Sequence, residues 1–177
     1  MDGDYHEQVQ RLKDNPATRR PFIMFRILLV LSIIGSGANC FSYLLMGMIQ
    51  PILQQQYPAI EETMQSSPQM AEMFELTKAQ YEQFVFDTPR AYYLMAFVLF
   101  AISLTGVVMM WRLRKNGFHY YAVAQLLFII LTLLYLGKAS MSVGNIMFTL
   151  LFLFLYYSLL RVLELNGKKR EDPPKAQ

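Results

Sequence analysis

Four apolar stretches, each about twenty residues long, constrain this chain more than any other feature. They cover residues 25–48, 90–111, 118–136 and 144–163. An α-helix rises about 1.5 Å per residue, so each stretch is long enough to cross a hydrocarbon layer roughly 30 Å thick. A backbone inside lipid must satisfy its own hydrogen bonds, which favours helices. The pattern predicts an all-α, polytopic membrane protein built as a four-helix bundle.

The same stretches divide the chain into three parts. Residues 1–24 form a charged N-terminal arm, residues 25–163 hold the four spans, and residues 164–177 form a polar tail. Residues 50–89 form the one long connection between spans. No short apolar core with a small-residue cleavage site precedes the first span, so we expect that span to be retained and not removed as a signal peptide.

Positive charge is concentrated beside the ends of the spans. Thirteen of the sixteen Lys and Arg residues lie in the arm up to Arg26, in the connection 112–117, or from Arg161 onward. Short connections rich in Lys and Arg stay on the cytoplasmic side. The charges therefore predict that both termini are cytoplasmic and that residues 50–89 lie outside. Clusters this small are typical of topology signals and lipid contacts, so no nucleic-acid partner is expected.

The long connection has the composition of an acidic cap that contains an amphipathic helix. Pro51, Pro58 and Pro68 are expected to divide it, and Ser67 followed by Pro68 fits an N-cap and a first helical position. Beyond them, apolar residues share one helical face, and they form a candidate docking face: Met70, Met73, Phe74, Tyr81 and Phe84. Two interpretations stay open. The face packs on the outer ends of the spans or the lipid interface, or it is a Met-rich surface for a protein partner.

Polar side chains form a thin stripe along each span. The candidate interhelical seam comprises Ser32, Ser36, Asn39, Gln125, Thr132 and Thr149. Further members of the stripes are Ser103, Gly106, Tyr121, Tyr135, Ser142, Asn145 and Tyr156. Residues four and seven apart share a helical face, and an amide facing lipid is costly. We therefore expect the two amides, Asn39 and Gln125, to face the interior with separate partners or a bridging water. The seam either holds the helices together or lines a small polar path for a solute.

The spans lack the residues that ion-coupled transport or catalysis usually requires. Transporters normally keep a carboxylate, a histidine or a paired charge within the membrane, and none lies away from the span ends here. Metal-binding His motifs, phosphate-binding glycine loops and intramembrane Ser–His pairs are absent from the sequence. The single cysteine, Cys40, excludes a Cys-x-x-Cys motif. We expect no enzymatic activity, no cofactor and no metal.

The most distinctive string of the chain is MWRLRKNGFHYY at residues 110–121. It resembles the central hairpin of small uncharacterised four-helix inner-membrane proteins of bacteria, in which an aromatic residue, a basic cluster and Gly-Phe precede the third helix. The resemblance implies the four-helix topology and a location in the cell inner (plasma) membrane. It implies no activity. We expect an accessory or scaffold subunit that contacts the lipid bilayer and either a membrane or envelope protein or further copies of itself. The alternative is a small-solute or lipid-handling protein that uses the polar seam.

Overall fold

The computed structural model describes residues 2–114, 116–137 and 143–171 of the chain. Within these ranges every regular element is helical: α1 (Asp2–Asp14), α2 (Pro16–Gln65), α3 (Pro68–Glu82), a π-helical turn (Gln83–Asp87), α4 (Arg90–Trp111), α5 (Gly117–Leu136) and α6 (Val143–Glu171). Four of these helices, α2, α4, α5 and α6, contain segments long and apolar enough to cross a membrane. The prediction of an all-α chain with four such helices is confirmed.

The first span belongs to a single helix of 50 residues, α2. Asn15 begins it, because its side chain accepts a hydrogen bond from the Ala17 N–H at 3.1 Å. Pro16 occupies the first helical position, where the missing N–H has no helical partner to lose. The helix continues through residues 49–65, here called the α2 extension, so residues 50–65 of the long connection directly continue the span.

Pro51 and Pro58 lie inside this helix, and the expectation that they divide the connection is wrong. A proline lacks the N–H that would bond the carbonyl four residues earlier, which for Pro51 is the carbonyl of Gly47. Arg90, at the start of α4, replaces that donor, since its Nε donates to the Gly47 oxygen at 2.8 Å. Of the three prolines, Pro68 alone begins a new helix, with Ser67 as its N-cap.

α3 folds back along the α2 extension, and at the base side-chain hydrogen bonds join the α2 extension to the segment that follows α3. The Gln50 Nε2 donates to the backbone oxygens of Val85 at 3.0 Å and Thr88 at 2.7 Å. Val85 has no helical donor because the residue four positions later is Pro89. The α2 extension, α3 and the π-helical turn together form a projection that we call the loop hairpin.

The four long apolar helices pack around two separate clusters of buried side chains. The arm-end cluster contains Phe22, Phe25, Leu29, Val107, Met110, Tyr121, Tyr156 and Leu163. The loop-end cluster contains Tyr92, Tyr93, Ala96 and Leu131. Among the described residues, α6 contributes side chains to the arm-end cluster and none to the loop-end cluster. α6 therefore packs closely at one end of the molecule and stands away from the other helices at the other end.

Candidate functional site

A cavity of about 540 Å³ lies between α2, α4, α5 and α6, and we call it the cleft. It occupies the region where α6 stands away from the other helices. All six residues of the predicted seam line it: Ser32, Ser36, Asn39, Gln125, Thr132 and Thr149. The structure thus brings together, on one surface, side chains from three helices that are up to 117 positions apart in the sequence.

At its arm end, the cleft is closed by tyrosines of the arm-end cluster. The Tyr156 hydroxyl of α6 donates to Ser32 Oγ of α2 at 2.7 Å, and Ser32 is only 6% exposed. The Tyr121 ring meets the Tyr156 ring edge-on at 5.3 Å between centroids. These contacts join α2, α5 and α6, so this end of the seam stabilises the packing of the helices.

A second polar contact crosses three helices midway along the cleft. Ser36 Oγ lies 3.2 Å from Ser103 Oγ, and the Gln125 Nε2 donates to Ser103 Oγ at 3.1 Å. Ser36 and Ser103 are buried. A buried hydroxyl without a partner would cost free energy, and these contacts satisfy the Ser103 hydroxyl.

Two seam residues, in contrast, make no hydrogen bond to another helix within the described part of the chain. The Asn39 Nδ2 donates to the Gly35 oxygen of its own helix at 2.9 Å, and Asn39 is exposed. Thr149 is half-buried on the α6 side of the cleft. Asn39 and Gln125 therefore have separate partners, and the Asn39 oxygen remains available to a molecule in the cleft.

At the loop end of the cleft, Thr132 both lines the cleft and makes polar contacts with neighbouring residues. Its hydroxyl donates to the Phe128 oxygen at 2.9 Å and lies 3.4 Å from the Tyr92 hydroxyl. Around it, aromatic rings form a wall: Tyr43 stacks on Phe100 at 5.4 Å between centroids, and Phe100 meets Phe128 at 4.8 Å. The predicted seam did not include this wall. Tyr43 could have been found, because it follows Asn39 by four residues on the same face of α2.

The lining of the cleft carries no charge. Its described residues are hydroxyl, amide, aromatic and aliphatic side chains, with no Asp, Glu, Lys, Arg or His among them. In the described ranges no group of three or more metal-ligating side chains is found. Ser142 and the side chain of Asn145, which the stripe pattern also included, lie outside what the structure describes.

The predicted docking face is separated into two parts by the loop hairpin. Phe74 is buried and lies 6.5 Å from the Tyr57 ring, and the Tyr81 ring stacks on Tyr57 at 5.7 Å. Met70, Met73 and Phe84 remain exposed. The reason is that α3 and the π-helical turn present only part of this apolar face to the α2 extension. Sequence reasoning missed Tyr57 as the centre of this contact.

The spacing along α2 could have revealed the stripe to which Tyr57 belongs. Gln50, Gln54, Tyr57 and Glu61 are separated by four, three and four residues, which places them on one face. The Tyr57 hydroxyl donates to Glu82 Oε1 at 2.7 Å, and this bond to a carboxylate raises the pKa of Tyr57 to about 12. The Lys78 Nζ donates to Glu61 Oε1 at 2.7 Å, and that bond raises the pKa of Lys78. Paired charges thus close the hairpin toward its tip.

Comparison with known proteins adds no assignment to this geometry. No family model, curated protein or solved structure matches the chain. The resemblance of residues 110–121 to a bacterial inner-membrane hairpin stays a prediction.

Proposed function

We propose that this chain is a non-catalytic, lipid-handling membrane protein that binds an uncharged amphiphile in the cleft. The observation that carries the proposal is that all six seam residues line one cavity of about 540 Å³. Cavities that hold small molecules typically measure about 300–1,000 Å³ and combine an apolar lining with a few polar groups.

The chemistry of the lining supports an amphiphile without net charge. Burying a charge beside neutral groups is costly, and no described lining residue would pair with one. Asn39 and Thr149 offer an amide and a hydroxyl that bond to no other described helix, and both groups suit a ligand hydroxyl or amide. The aromatic wall of Tyr43, Phe100 and Phe128 suits an apolar body.

The seam divides into a structural part and a ligand-facing part in this proposal. Ser32, Ser36 and Gln125 bond across helices and hold the bundle together. Such interhelical bonds contribute about 0.6 kcal/mol each on average within membranes. Asn39 and Thr149 face the ligand. In this proposal, part of the seam holds the helices together and another part, at a different depth, binds the ligand.

The proposal includes the membrane arrangement. The four apolar helices form a four-helix bundle in a cell inner (plasma) membrane, both termini are cytoplasmic, and the loop hairpin lies outside. The basic clusters at the arm end support this orientation. The cleft then lies toward the outer leaflet, where an amphiphile enters sideways between α6 and its neighbours.

Photo-crosslinking tests the cleft. The full-length protein in nanodiscs is labelled with a monoacylglycerol that carries a diazirine in its acyl chain, with unlabelled monoacylglycerol as competitor. Gly35→Phe places a ring in the cleft, where an added Cβ meets no atom within 4 Å. Ile34→Phe is the matched control, because Ile34 is 63% exposed and does not line the cleft.

We expect Gly35→Phe to lower competable labelling at least fivefold and Ile34→Phe to leave it within twofold. Asn39→Leu should lower labelling while the unfolding temperature stays within a few degrees. If folded Gly35→Phe protein is labelled as strongly as the wild type, the cleft is not the binding site. If Asn39→Leu loses stability and keeps labelling, Asn39 is a structural residue.

A second candidate function is an accessory or scaffold role through the loop hairpin. It is favoured by the outer side of α3, where Met70 is 43%, Met73 is 71% and Leu76 is 79% exposed. Exposed apolar side chains grouped in this way are typical of contact surfaces. The partner would be a membrane or envelope protein, or a second copy of the chain.

In-cell crosslinking from a photoreactive residue at position 73 tests this role. A discrete adduct is expected, and twice the mass of the chain would identify a homo-oligomer. The control is position 72 on the same helix, where Glu72 is also exposed. Equal, diffuse labelling from both positions would argue against a docking surface.

A further inference from the structure

A second, smaller cavity of about 370 Å³ lies on the opposite side of α4 from the cleft, beside the turn that joins α4 to α5. It is lined by Leu104, Thr105, Val108, Met109, Arg112 and Arg114, and we call it the arginine groove. The α4 residues that line it alternate with the buried residues Ser103, Val107 and Met110. Among the described residues, the groove therefore runs along a face of α4 that the other helices leave uncovered.

The end of α4 explains why two arginines reach the same groove. The Leu113 N–H bonds the Met110 oxygen at 2.9 Å and the Arg114 N–H bonds the Met109 oxygen at 3.0 Å, which is the Schellman arrangement. Leu113 holds the left-handed conformation, φ 57°, that usually belongs to glycine. This conformation costs roughly 1–2 kcal/mol for a non-glycine residue.

Packing compensates for that cost and fixes the turn. The Leu113 side chain lies against the arm-end cluster. With Leu113 directed inward, the residues on either side of it, Arg112 and Arg114, are exposed and line the groove. Two guanidinium groups thus stand at the end of an apolar channel that extends about 10 Å along α4 from Thr105 to Arg112.

These two arginines have no carboxylate partner within the part of the chain that is described. Ion pairs there join Arg11 to Glu7 and Lys78 to Glu61. A guanidinium presents several N–H donors in a planar fork that matches phosphate oxygens. A basic pocket beside a membrane-spanning helix is a common binding site for lipid headgroups.

We infer that the arginine groove binds an anionic phospholipid. The phosphate lies between Arg112 and Arg114, and one acyl chain lies along Leu104, Val108 and Met109. Free phosphate would use the arginines alone and leave the apolar floor uncovered, so the joined charge and chain favour a lipid. This inference is independent of the cleft, which has an uncharged lining and lies on the other side of α4.

Lipid retention measured by native mass spectrometry tests the groove. The full-length protein is prepared in neutral detergent with phosphatidylglycerol, phosphatidylcholine or inorganic phosphate. Arg112→Gln with Arg114→Gln removes both guanidinium groups. Arg19→Gln with Arg20→Gln is the matched control, since it removes the same charge from exposed positions at the same end of the molecule. Val108→Trp fills the groove and keeps its charges, and Val108 is 42% exposed.

We expect the Arg112/Arg114 variant to lower retained phosphatidylglycerol at least fivefold and to leave phosphatidylcholine unchanged. The Arg19/Arg20 variant should change either lipid less than twofold, and Val108→Trp should reduce phosphatidylglycerol as the Arg112/Arg114 variant does. An equal loss in the Arg19/Arg20 variant would show general charge attraction and overturn the site. Binding of inorganic phosphate that matches the lipid, with no effect of Val108→Trp, would replace the lipid with a phosphate site. If the Arg112/Arg114 variant does not fold, Val108→Trp against Arg19/Arg20 decides.

Discussion

At the scale of single residues, the absence of one side chain determines how closely α4 and α5 approach. A Cβ built on Gly106 would lie 2.6 Å from the Tyr121 nitrogen and 2.8 Å from the Gly117 oxygen. Both are backbone atoms, which cannot rotate away as a flexible side chain could. The helices must therefore separate if any side chain is added, and the Ser103–Gln125 bond lies on the same interface.

Gly106→Ala should lower the free energy of unfolding by about 1–3 kcal/mol, the usual cost of overpacking a core. Gly35→Ala is the matched control, because a Cβ at Gly35 meets nothing within 4 Å. Alanine also favours the helix over glycine, so the control should keep or raise stability. Thermal unfolding in detergent measures both. Equal stability of the two variants would contradict the close approach of α4 and α5.

The Tyr57–Glu82 hydrogen bond should make the loop hairpin sensitive to alkaline pH. The bond raises the pKa of Tyr57 from 10.0 to about 12, so its contribution to stability is complete below pH 10 and is lost as pH rises toward 12. The bond to Glu61 raises the pKa of Lys78, so the stability that this bond contributes is likewise lost at high pH. Ultraviolet absorbance of tyrosinate follows the titration of Tyr57 as the difference between wild type and Tyr57→Phe.

Replacing the acceptor tests the cause of that shift. Glu82→Gln removes the carboxylate, so Tyr57 should titrate closer to pH 10. Glu72→Gln, at an exposed position of α3, should leave the titration unchanged. If the pKa of Tyr57 stays high in Glu82→Gln, a group other than Glu82 stabilises the protonated phenol.

At the scale of elements, a distant side chain satisfies a carbonyl of α2 that a proline leaves without its helical donor. Pro51 leaves the Gly47 oxygen without its helical donor, and Arg90 provides the replacement from 43 positions away. The same contact joins the start of α4 to α2 at the base of the loop hairpin. The direction of the hairpin is thus linked to the packing of two spanning helices.

A double-mutant cycle between Arg90 and Pro51 measures this link. Arg90→Met keeps the apolar stem and loses the donor, and we expect it to cost about 1.5 kcal/mol, the lower end for a bond to a charged group. In a Pro51→Ala background the residue 51 N–H can bond the Gly47 oxygen, so Arg90→Met should cost less than half as much. The same cost in both backgrounds would mean that Arg90 stabilises the protein in another way.

At the scale of the whole molecule, the two ends of the helices have different surroundings. The arm end has the larger core, the basic residues and the arginine groove, and the loop end has the cleft and the acidic hairpin. In the proposed membrane arrangement, the two proposed sites therefore belong to opposite leaflets. Their assignment to the inner and outer side follows from the orientation of the chain.

Cysteine labelling tests that orientation. In a Cys40→Ala background, a cysteine at position 62 should react with a membrane-impermeant maleimide added to intact cells. A cysteine at position 115 should react only after the membrane is permeabilised, because its basic neighbours hold that connection inside. Reaction at position 115 in intact cells would reverse the orientation and exchange the leaflets of the two sites.

Local features of the sequence were sufficient to predict an all-α chain with four long apolar helices and to place the seam residues on helical faces, but not to predict α1. Apolar length identifies a span without knowledge of its neighbours, and Ser67 with Pro68 marks the start of α3 through contacts within four residues. The periodicity of Ser32, Ser36 and Asn39 likewise places them on one face of α2 before any packing is known. These properties depend on residues close together in the chain.

The tertiary structure alone decided which of those groups meet and where space remains. Sequence periodicity gives the face of a helix but neither its tilt nor its distance from the next helix. No single segment of the sequence therefore predicts the separation of α6 from the loop-end cluster, which creates the cleft. The contact that satisfies the Gly47 carbonyl at Pro51 is likewise invisible in the local sequence, since its donor, Arg90, belongs to α4. Contacts between residues distant in the sequence, with free energies comparable to local preferences, determined which helices meet and where the cleft lies.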